Sequence, residues 1–153
     1  MAKMVKVGMA DLNICHSPDA ITTLGLGSCV GVALYDKNTK TAGLVHVMLP
    51  DSTKVRQNQN RAKFADTGID YLIELLEKEG AKKSSLTAKI AGGAQMFAFS
   101  SSNDMLRVGE RNVEAVKDKL KKLGIRILAE DTGLNYGRTV EFYPETGDFI
   151  IKS

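Results

Sequence analysis

The sequence predicts an α/β (α+β) fold, a layered sandwich in which two main helices pack on one side of a mixed, largely antiparallel β-sheet. Two segments repeat apolar residues at helical spacing, and about six or seven short apolar segments bounded by turn residues are typical of strands. No linker or internal repeat divides the 153 residues. We therefore expect one domain over residues 1–153.

The first third of the chain is predicted to contain strands around a glycine-rich loop. Residues 5–14 suit a first strand, which ends at the turn formed by residues 17–19. Residues 22–31 are rich in glycine and lead directly into the apolar segment 30–35. A second apolar segment, residues 42–49, follows five polar residues, so the two segments are expected to pair as a hairpin.

The two helices have the clearest pattern. One apolar stripe consists of Ala65, Ile69, Leu72, Ile73 and Leu76, and the other of Val113, Val116, Leu120 and Leu123. Gly80 and Gly124 stand where a helix end favours a residue that tolerates a left-handed conformation. The remaining expectations are surface loops at residues 50–61 and 98–104, strands at 86–91 and 125–129, and a hairpin of 139–143 with 149–152.

Charge and cysteine content exclude several classes of protein. Lys and Arg total 21 against 18 Asp and Glu, a net charge of +3 without a basic cluster, so no nucleic-acid partner is expected. No uncharged stretch is long enough to span a bilayer and residues 1–8 do not resemble a signal peptide, so we expect a cytoplasmic protein without membrane insertion. Cys15 and Cys29 should remain thiols in the reducing cytosol.

The predicted hairpin brings a thiol and an imidazole together. If its turn is centred between Lys37 and Asn38, Cys29 lies opposite His46, with Cβ atoms about 4.5 to 5.5 Å apart. An imidazolium at that separation favours the thiolate, which is the nucleophilic form of cysteine. A register change of one residue would turn one of these side chains to the other face of the sheet.

Small residues before Cys29 support the same interpretation. Gly25, Gly27 and Ser28 allow the backbone to approach a substrate closely, and the N–H of Ser28 or of Cys29 could donate to a developing oxyanion. The alternative is that Cys29 is a packing residue at the start of a core strand, because free cysteines are among the most buried residue types.

Other candidate sites have weaker patterns. Residues 25–31 contain one residue too many for a dinucleotide-binding loop and precede a strand rather than a helix, so no cofactor is expected. The two cysteines and two histidines lack chelating spacing, so no metal site is expected; Cys15 suits a strand end and His16 a solvated turn. Arg138 could bind a ligand carboxylate, although a loop bonded to its own backbone is favoured at 131–138. Phe97 suits either a partner contact or the core.

Several separated motifs resemble the CheD family of chemoreceptor glutamine deamidases. The segments TLGLGSCV (residues 23–30) and HVMLP (residues 46–50) carry the resemblance, which continues at residues 89–94, 109–112 and 131–133 and covers nearly the whole chain. One departure is Leu134, which stands where the family commonly has a second glycine after Asp-Thr-Gly.

The resemblance implies a nucleophilic Cys29, a general base and acid in His46, and an orienting role for Thr23. It also implies a fold related to deamidating bacterial toxins and a thioester mechanism that converts receptor glutamines to glutamates, which then serve as methylation sites. The implied substrate is the helical cytoplasmic region of a chemoreceptor, the implied partner is a CheC-type phosphatase that imitates the receptor, and hydrolysis of glutamyl methyl esters is a related reaction. The alternative is a non-catalytic regulatory partner of such a phosphatase.

Overall fold

The computed structural model describes residues 2–95 and 107–153, which form nine strands and two α-helices. In chain order the elements are β1 Met4–Val7, β2 Leu12–His16, β3 Ala20–Leu26, β4 Val30–Asp36, β5 Thr41–Val47, α1 Ala65–Lys78, β6 Thr87–Gly92, α2 Val108–Leu123, β7 Arg126–Thr132, β8 Arg138–Tyr143 and β9 Asp148–Lys152. Short 3-10 helices occupy Ser52–Lys54, Arg61–Lys63 and Lys83–Ser85.

The strands form two mixed sheets rather than the single sheet that the sequence predicts. The smaller sheet has the order β1-β3-β8-β9 and the larger one the order β2-β5-β4-β6-β7. Neighbouring strands are antiparallel except in the pairs β1–β3 and β6–β7. The structure therefore confirms a mixed, largely antiparallel α/β architecture and corrects the number of sheets.

Two local differences explain the second sheet. Residues 5–14, expected as one strand, are interrupted by a turn at which Ala10 adopts a left-handed backbone with φ of 56°, so β1 and β2 enter different sheets. Residues 22–26, the first half of the expected glycine-rich loop, instead belong to strand β3 of the smaller sheet. Gly25 makes this strand difficult to predict from the sequence, because glycine is depleted in strands.

The molecule has three layers and two apolar cores. Residues of α1 and α2 pack with Val32, Val45 and their neighbours on one face of the larger sheet. The opposite face, which includes Ala33 and Leu44, packs on the smaller sheet. Because β4 and β5 lie between these layers, both of their faces are buried and their sequences are almost continuously apolar.

Both predicted helices are confirmed. All five residues of the first stripe are buried in α1, and Gly80 follows the helix with φ of 96°. In α2, Val116 and Leu120 are buried and the helix ends at Gly124, which is left-handed with φ of 73°. Neither described helix combines the length and apolar character needed to cross a membrane.

The later strand predictions are also confirmed, as β6 to β9. Residues 50–61 form an irregular segment that includes the 3-10 helix Ser52–Lys54. The loop expected at 98–104 and the residue Phe97 lie outside the described residues.

Candidate active site

The turn between β4 and β5 sets the register of the candidate catalytic residues. Asp36 pairs with Thr41, so the turn contains four residues, 37–40, and His46 faces Gly31. The predicted opposition of Cys29 and His46 is therefore wrong by two residues. The longer turn forms because an Asp36 carboxylate oxygen accepts the Asn38 N–H at 2.9 Å and Lys40 adopts a left-handed backbone with φ of 51°.

A shift of two residues leaves the facing of the side chains unchanged, because side chains alternate with a period of two. Cys29 lies one residue before β4 and two before Gly31, and it belongs to the core between the two sheets. In a regular antiparallel ladder this diagonal position is roughly 7–8 Å from its partner, closer for the Cβ atoms. Cys29 is 8% exposed and His46 is fully buried.

Thr23 connects the smaller sheet to this imidazole. Its Oγ1 lies 2.8 Å from the carbonyl oxygen of Val7 and 2.8 Å from Nδ1 of His46. The hydroxyl has one proton, which it donates to the Val7 carbonyl, so it accepts a hydrogen bond from Nδ1–H of His46. Nε2 then carries the free lone pair, and it has no hydrogen-bond partner among the described residues. This tautomer can accept a proton at Nε2.

The close approach of the two sheets leaves little room for a side chain at position 31. A Cβ atom added at Gly31 would lie 3.1 Å from Cδ1 of Leu26 and 3.7 Å from Cγ2 of Thr23. The first distance is tighter than ordinary van der Waals contact. The glycine opposite His46 therefore allows β3, with Thr23, to reach the imidazole.

The segment before β4 is held by its carbonyl groups. The carbonyl of Gly27 accepts the Ala94 N–H at 2.8 Å, and that of Cys29 accepts the Gly93 N–H at 2.8 Å. The Ser28 carbonyl accepts an amide N–H of Asn112 at 3.0 Å. Within residues 2–95 and 107–153, the N–H groups of Ser28 and Cys29 donate to no acceptor.

Burial shifts both candidate groups towards their neutral forms. Removal from water raises the pKa of the Cys29 thiol and lowers the pKa of the His46 imidazole. The sequence-based expectation was an imidazolium that stabilises a thiolate. The structure instead favours a neutral thiol and a neutral imidazole at pH 7.

The remaining candidates lie elsewhere and are engaged in the fold. Cys15 lies in β2 and is buried between the sheets, as expected for a strand-end thiol. His16 ends β2 rather than lying in the turn, and its side chain is 3.0 Å from Glu79 and 3.1 Å from Thr41. Among the residues that the structure describes, no three His, Cys, Asp or Glu side chains come together as a potential metal site.

The loop from 131 to 138 is organised around a buried arginine. Arg138 is 2% exposed, its guanidinium lies 3.0 Å from an Asp131 carboxylate oxygen and its Cζ is 4.3 Å from the centre of the Tyr136 ring. The Asp131 carboxylate thus occupies the position that a ligand carboxylate would take. Leu134 is 66% exposed with φ of 61°, a left-handed conformation in which glycine costs less than leucine.

Asn112 is the site residue that reasoning from the sequence did not single out. It is fully buried on α2, and its side-chain amide contacts the backbone on both sides of the candidate pair, at Ser28 and Met48. Two signals in the sequence mark this residue. Asn112 belongs to the segment 109–112 that carries the family resemblance, and it precedes Val116 and Leu120 at intervals of four, which places a polar side chain on the apolar stripe.

Comparison with known proteins shows which family the sequence resembles. Residues 48–153 match the family model described as CheD chemotactic sensory transduction. A protein of Lachnoclostridium phytofermentans named "Probable chemoreceptor glutamine deamidase CheD" is 70% identical over 100% of this chain and 95% of its own length. The chemoreceptor glutamine deamidases CheD of Halalkalibacterium halodurans and Bacillus subtilis are 59% and 53% identical, over 100% and 95% of this chain and 95% and 88% of their own lengths.

The two kinds of match differ in how much of the site they cover. The family model begins after His46, whereas the similarity to the Lachnoclostridium phytofermentans protein extends over the whole chain and so includes Thr23, Cys29 and His46. The chain belongs to the CheD family of chemoreceptor glutamine deamidases.

Proposed function

We propose that this chain deamidates specific chemoreceptor glutamines with Cys29 as nucleophile, His46 as general base and acid, and Thr23 as the residue that orients the imidazole. The observation that carries the proposal is the hydrogen bond from Nδ1–H of His46 to Thr23. It leaves the lone pair of Nε2 unpartnered in the core that also contains Cys29. A positioned base next to a thiol is the arrangement that nucleophilic catalysis requires.

The first half of the reaction forms a thioester. Nε2 of His46 removes the thiol proton as Sγ of Cys29 attacks the side-chain carbonyl carbon of the glutamine. The tetrahedral intermediate collapses when His46 returns the proton to the nitrogen, and the C–N bond breaks to release ammonia. The products of this half are a glutamyl thioester on Cys29 and a neutral imidazole.

The second half hydrolyses the thioester. Nε2 of His46 takes a proton from water, whose oxygen attacks the thioester carbon. The C–S bond breaks, the proton passes to Sγ, and glutamate is released with the thiol restored. The receptor gains one carboxylate in each cycle.

The segment containing Gly27 and Ser28 suits an oxyanion-binding role. Hydrogen bonds to the carbonyls of Gly27, Ser28 and Cys29 hold this segment. We infer that the N–H groups of Ser28 and Cys29 donate to the oxygen that becomes negative in the tetrahedral intermediate. Because donors fixed before the reaction need no reorganisation, they are most effective at this step.

The same chemistry extends the proposal to esters and to a fold relationship. Attack of Cys29 on a glutamyl methyl ester would release methanol and give the same thioester, so we propose a methylesterase side activity. The family resemblance, carried by residues 23–30 and 46–50, is the basis on which we propose a fold relationship to bacterial toxin deamidases. The larger sheet contributes to both cores, which supports the proposal that residues 1–153 form one domain.

For substrate and partner we propose the helical cytoplasmic region of a chemoreceptor and a CheC-type phosphatase that occupies the same site. The reaction would then take place in the cytoplasm, where reducing conditions keep Cys29 as a thiol. Leu24 supports a docking role for the surface next to Thr23, because this apolar side chain is 65% exposed. A phosphatase that binds there should inhibit deamidation competitively with the receptor fragment.

The direct test is mass spectrometry of a purified receptor signalling fragment incubated with the wild-type protein and with Cys29→Ala. Each deamidation adds about 1 Da, and peptide mapping identifies the glutamine. We expect conversion by the wild type and none by Cys29→Ala. Cys15→Ala is the matched control, because it removes the other buried thiol of the same core and should retain activity.

Deamidation by Cys29→Ala at the wild-type rate would exclude Cys29 as the nucleophile. A wild-type protein that converts no glutamine in several receptor fragments, yet binds a CheC-type phosphatase, would favour the non-catalytic regulatory role.

A further inference from the structure

The β4–β5 ladder ends before it reaches the proposed nucleophile. Its last pair is Val30 with Val47, so Cys29 and Met48 lie beyond the paired region. After Val47 the segment that follows β5 leaves the ladder, and the Met48 N–H donates to the carbonyl of Lys63 at 2.8 Å. Among the described residues, the ladder therefore gives Cys29 no paired residue on the strand that carries His46.

The side chain of Asn112 fills this gap. Its Nδ2 lies 3.0 Å from the Ser28 carbonyl oxygen and 2.9 Å from the Met48 carbonyl oxygen. One carbonyl belongs to the residue before Cys29 and the other to the residue two positions after His46. A primary amide has two N–H donors on one nitrogen, so a single side chain can connect both segments.

The helix that carries Asn112 is itself fixed against the site. A Cβ atom added at Gly109 would lie 2.4 Å from the carbonyl oxygen of Ala94, so the first turn of α2 packs directly on the backbone at 93–94. That backbone donates hydrogen bonds to the carbonyls of Gly27 and Cys29. The helix thus contacts the nucleophile segment through the backbone at 93–94 and through Asn112.

We propose that Asn112 is a positioning residue that sets the approach of Cys29 Sγ to Nε2 of His46 by linking the Ser28 and Met48 carbonyls across the open end of the hairpin. The inference rests on the proposed catalytic roles of Cys29 and His46. Among the described residues, the Asn112 side chain forms no hydrogen bond with Sγ of Cys29 or Nε2 of His46. Its loss should lower the rate of the chemical step, because a misplacement of about 1 Å can reduce a rate by about 10²-fold.

The test compares Asn112→Leu, which has the same branched shape and number of side-chain heavy atoms but no donor, with Val116→Ala, one helical turn further along α2. Val116 is fully buried and packs in the helix-side core, so its substitution destabilises the same helix without removing a hydrogen bond to the hairpin. For Asn112→Leu we expect kcat about 10- to 100-fold below wild type and KM within about threefold. Val116→Ala should keep a nearly normal kcat under conditions in which both variants are fully folded.

A second variant covers the case in which Asn112→Leu does not fold. Asn112→Ser is smaller and retains one hydroxyl donor, which can serve one of the two carbonyls. Its kcat should fall at least several-fold with KM little changed. Wild-type kcat in the folded Asn112 variants, or an equal kcat loss in Val116→Ala, would overturn the inference.

The outcome for Cys29→Ala separates this inference from the proposal on which it rests. Abolished turnover in Cys29→Ala together with full turnover in the Asn112 variants would overturn the positioning role alone. Retained turnover in Cys29→Ala would overturn the proposed catalytic pair and the positioning role with it.

Discussion

The hydroxyl of Thr23 decides which nitrogen of His46 carries a proton. Its own proton is committed to the Val7 carbonyl, so its lone pair can only accept from Nδ1–H. A buried imidazole with the opposite tautomer would present N–H rather than a lone pair at Nε2, and it could not deprotonate a thiol. One hydroxyl on the smaller sheet therefore determines whether a histidine on the larger sheet can act as a base.

Thr23→Val tests this role. The variant keeps the shape of the side chain but removes the acceptor for Nδ1–H, so the imidazole loses its fixed tautomer. We expect kcat for receptor deamidation to fall about 10- to 100-fold, part of the 10²–10⁴-fold that a general base contributes. Steady-state kinetics on a receptor fragment measures this change.

Thr22→Val is the matched control for this measurement. Thr22 lies on the same strand as Thr23. Its hydroxyl donates to the Val140 carbonyl at 2.7 Å and forms no hydrogen bond with the imidazole in the described structure. Either variant leaves one carbonyl without its donor, at a cost of about 1–3 kcal/mol in the free energy of unfolding. Equal losses of kcat in the two variants would show that Thr23 acts only through stability.

The site shows which relationships between residues a sequence pattern can predict. The alternation of side chains along the hairpin was enough to place Cys29 and His46 on one face, even though the turn proved two residues longer than predicted. Thr23 entered only through family resemblance, because it lies on a strand of another sheet. Asn112 lies in a segment that resembles the family and on an apolar stripe, but its role was not predicted, since its partners are backbone carbonyls distant in sequence.

At the scale of elements, the packing of α1 on the larger sheet depends on a residue without a side chain. Gly43 lies in β5, directly beneath the helix, and a Cβ atom added there would lie 2.6 Å from Cδ1 and 3.1 Å from Cγ of Leu72. Leu72 is fully buried, so it has little room to move. The absence of a side chain at position 43 therefore sets how closely α1 approaches the sheet.

A double-mutant cycle between these two residues measures this contact. Gly43→Ala should lower the free energy of unfolding by about 1–3 kcal/mol through overpacking, and Leu72→Ala by about 2–5 kcal/mol through a cavity. In the double variant the new methyl group occupies part of the cavity, so the combined loss should be about 1 kcal/mol or more below the sum. Urea unfolding of the four proteins gives the values, and strictly additive losses would contradict direct packing.

The elements differ in how far the sequence predicts them. Both helices follow from apolar stripes that extend over several turns and end at glycines, a pattern that tertiary contacts reinforce. The division of residues 5–14 into two strands depends on the left-handed backbone at Ala10, which alanine rarely adopts and a sequence pattern does not anticipate. The second sheet also depends on the parallel pairing of β1 with β3, for which no local pattern exists.

At the scale of the whole molecule, the two sheets bury both thiols in one core. Cys15 and Cys29 belong to the same apolar cluster, and burial raises the pKa of each thiol. For Cys15 the nearby charge of Asp19 adds to the effect of burial, and its pKa rises to about 12. The folded protein thus keeps protons on groups that the unfolded chain releases at lower pH, which couples folding to alkaline pH.

This coupling predicts how stability changes with pH. An unfolded thiol releases its proton near pH 9.0, whereas folded Cys15 retains its proton up to about pH 12. Within that window the folded state binds more protons, so the free energy of unfolding falls as pH rises, by up to about 1.4 kcal/mol per pH unit for this group. Cys15→Ala removes this contribution. The stability difference between wild type and Cys15→Ala, measured by urea unfolding with a reductant present, should therefore shrink steadily from pH 9 to pH 11; a constant difference would show that Cys15 ionises alike in both states.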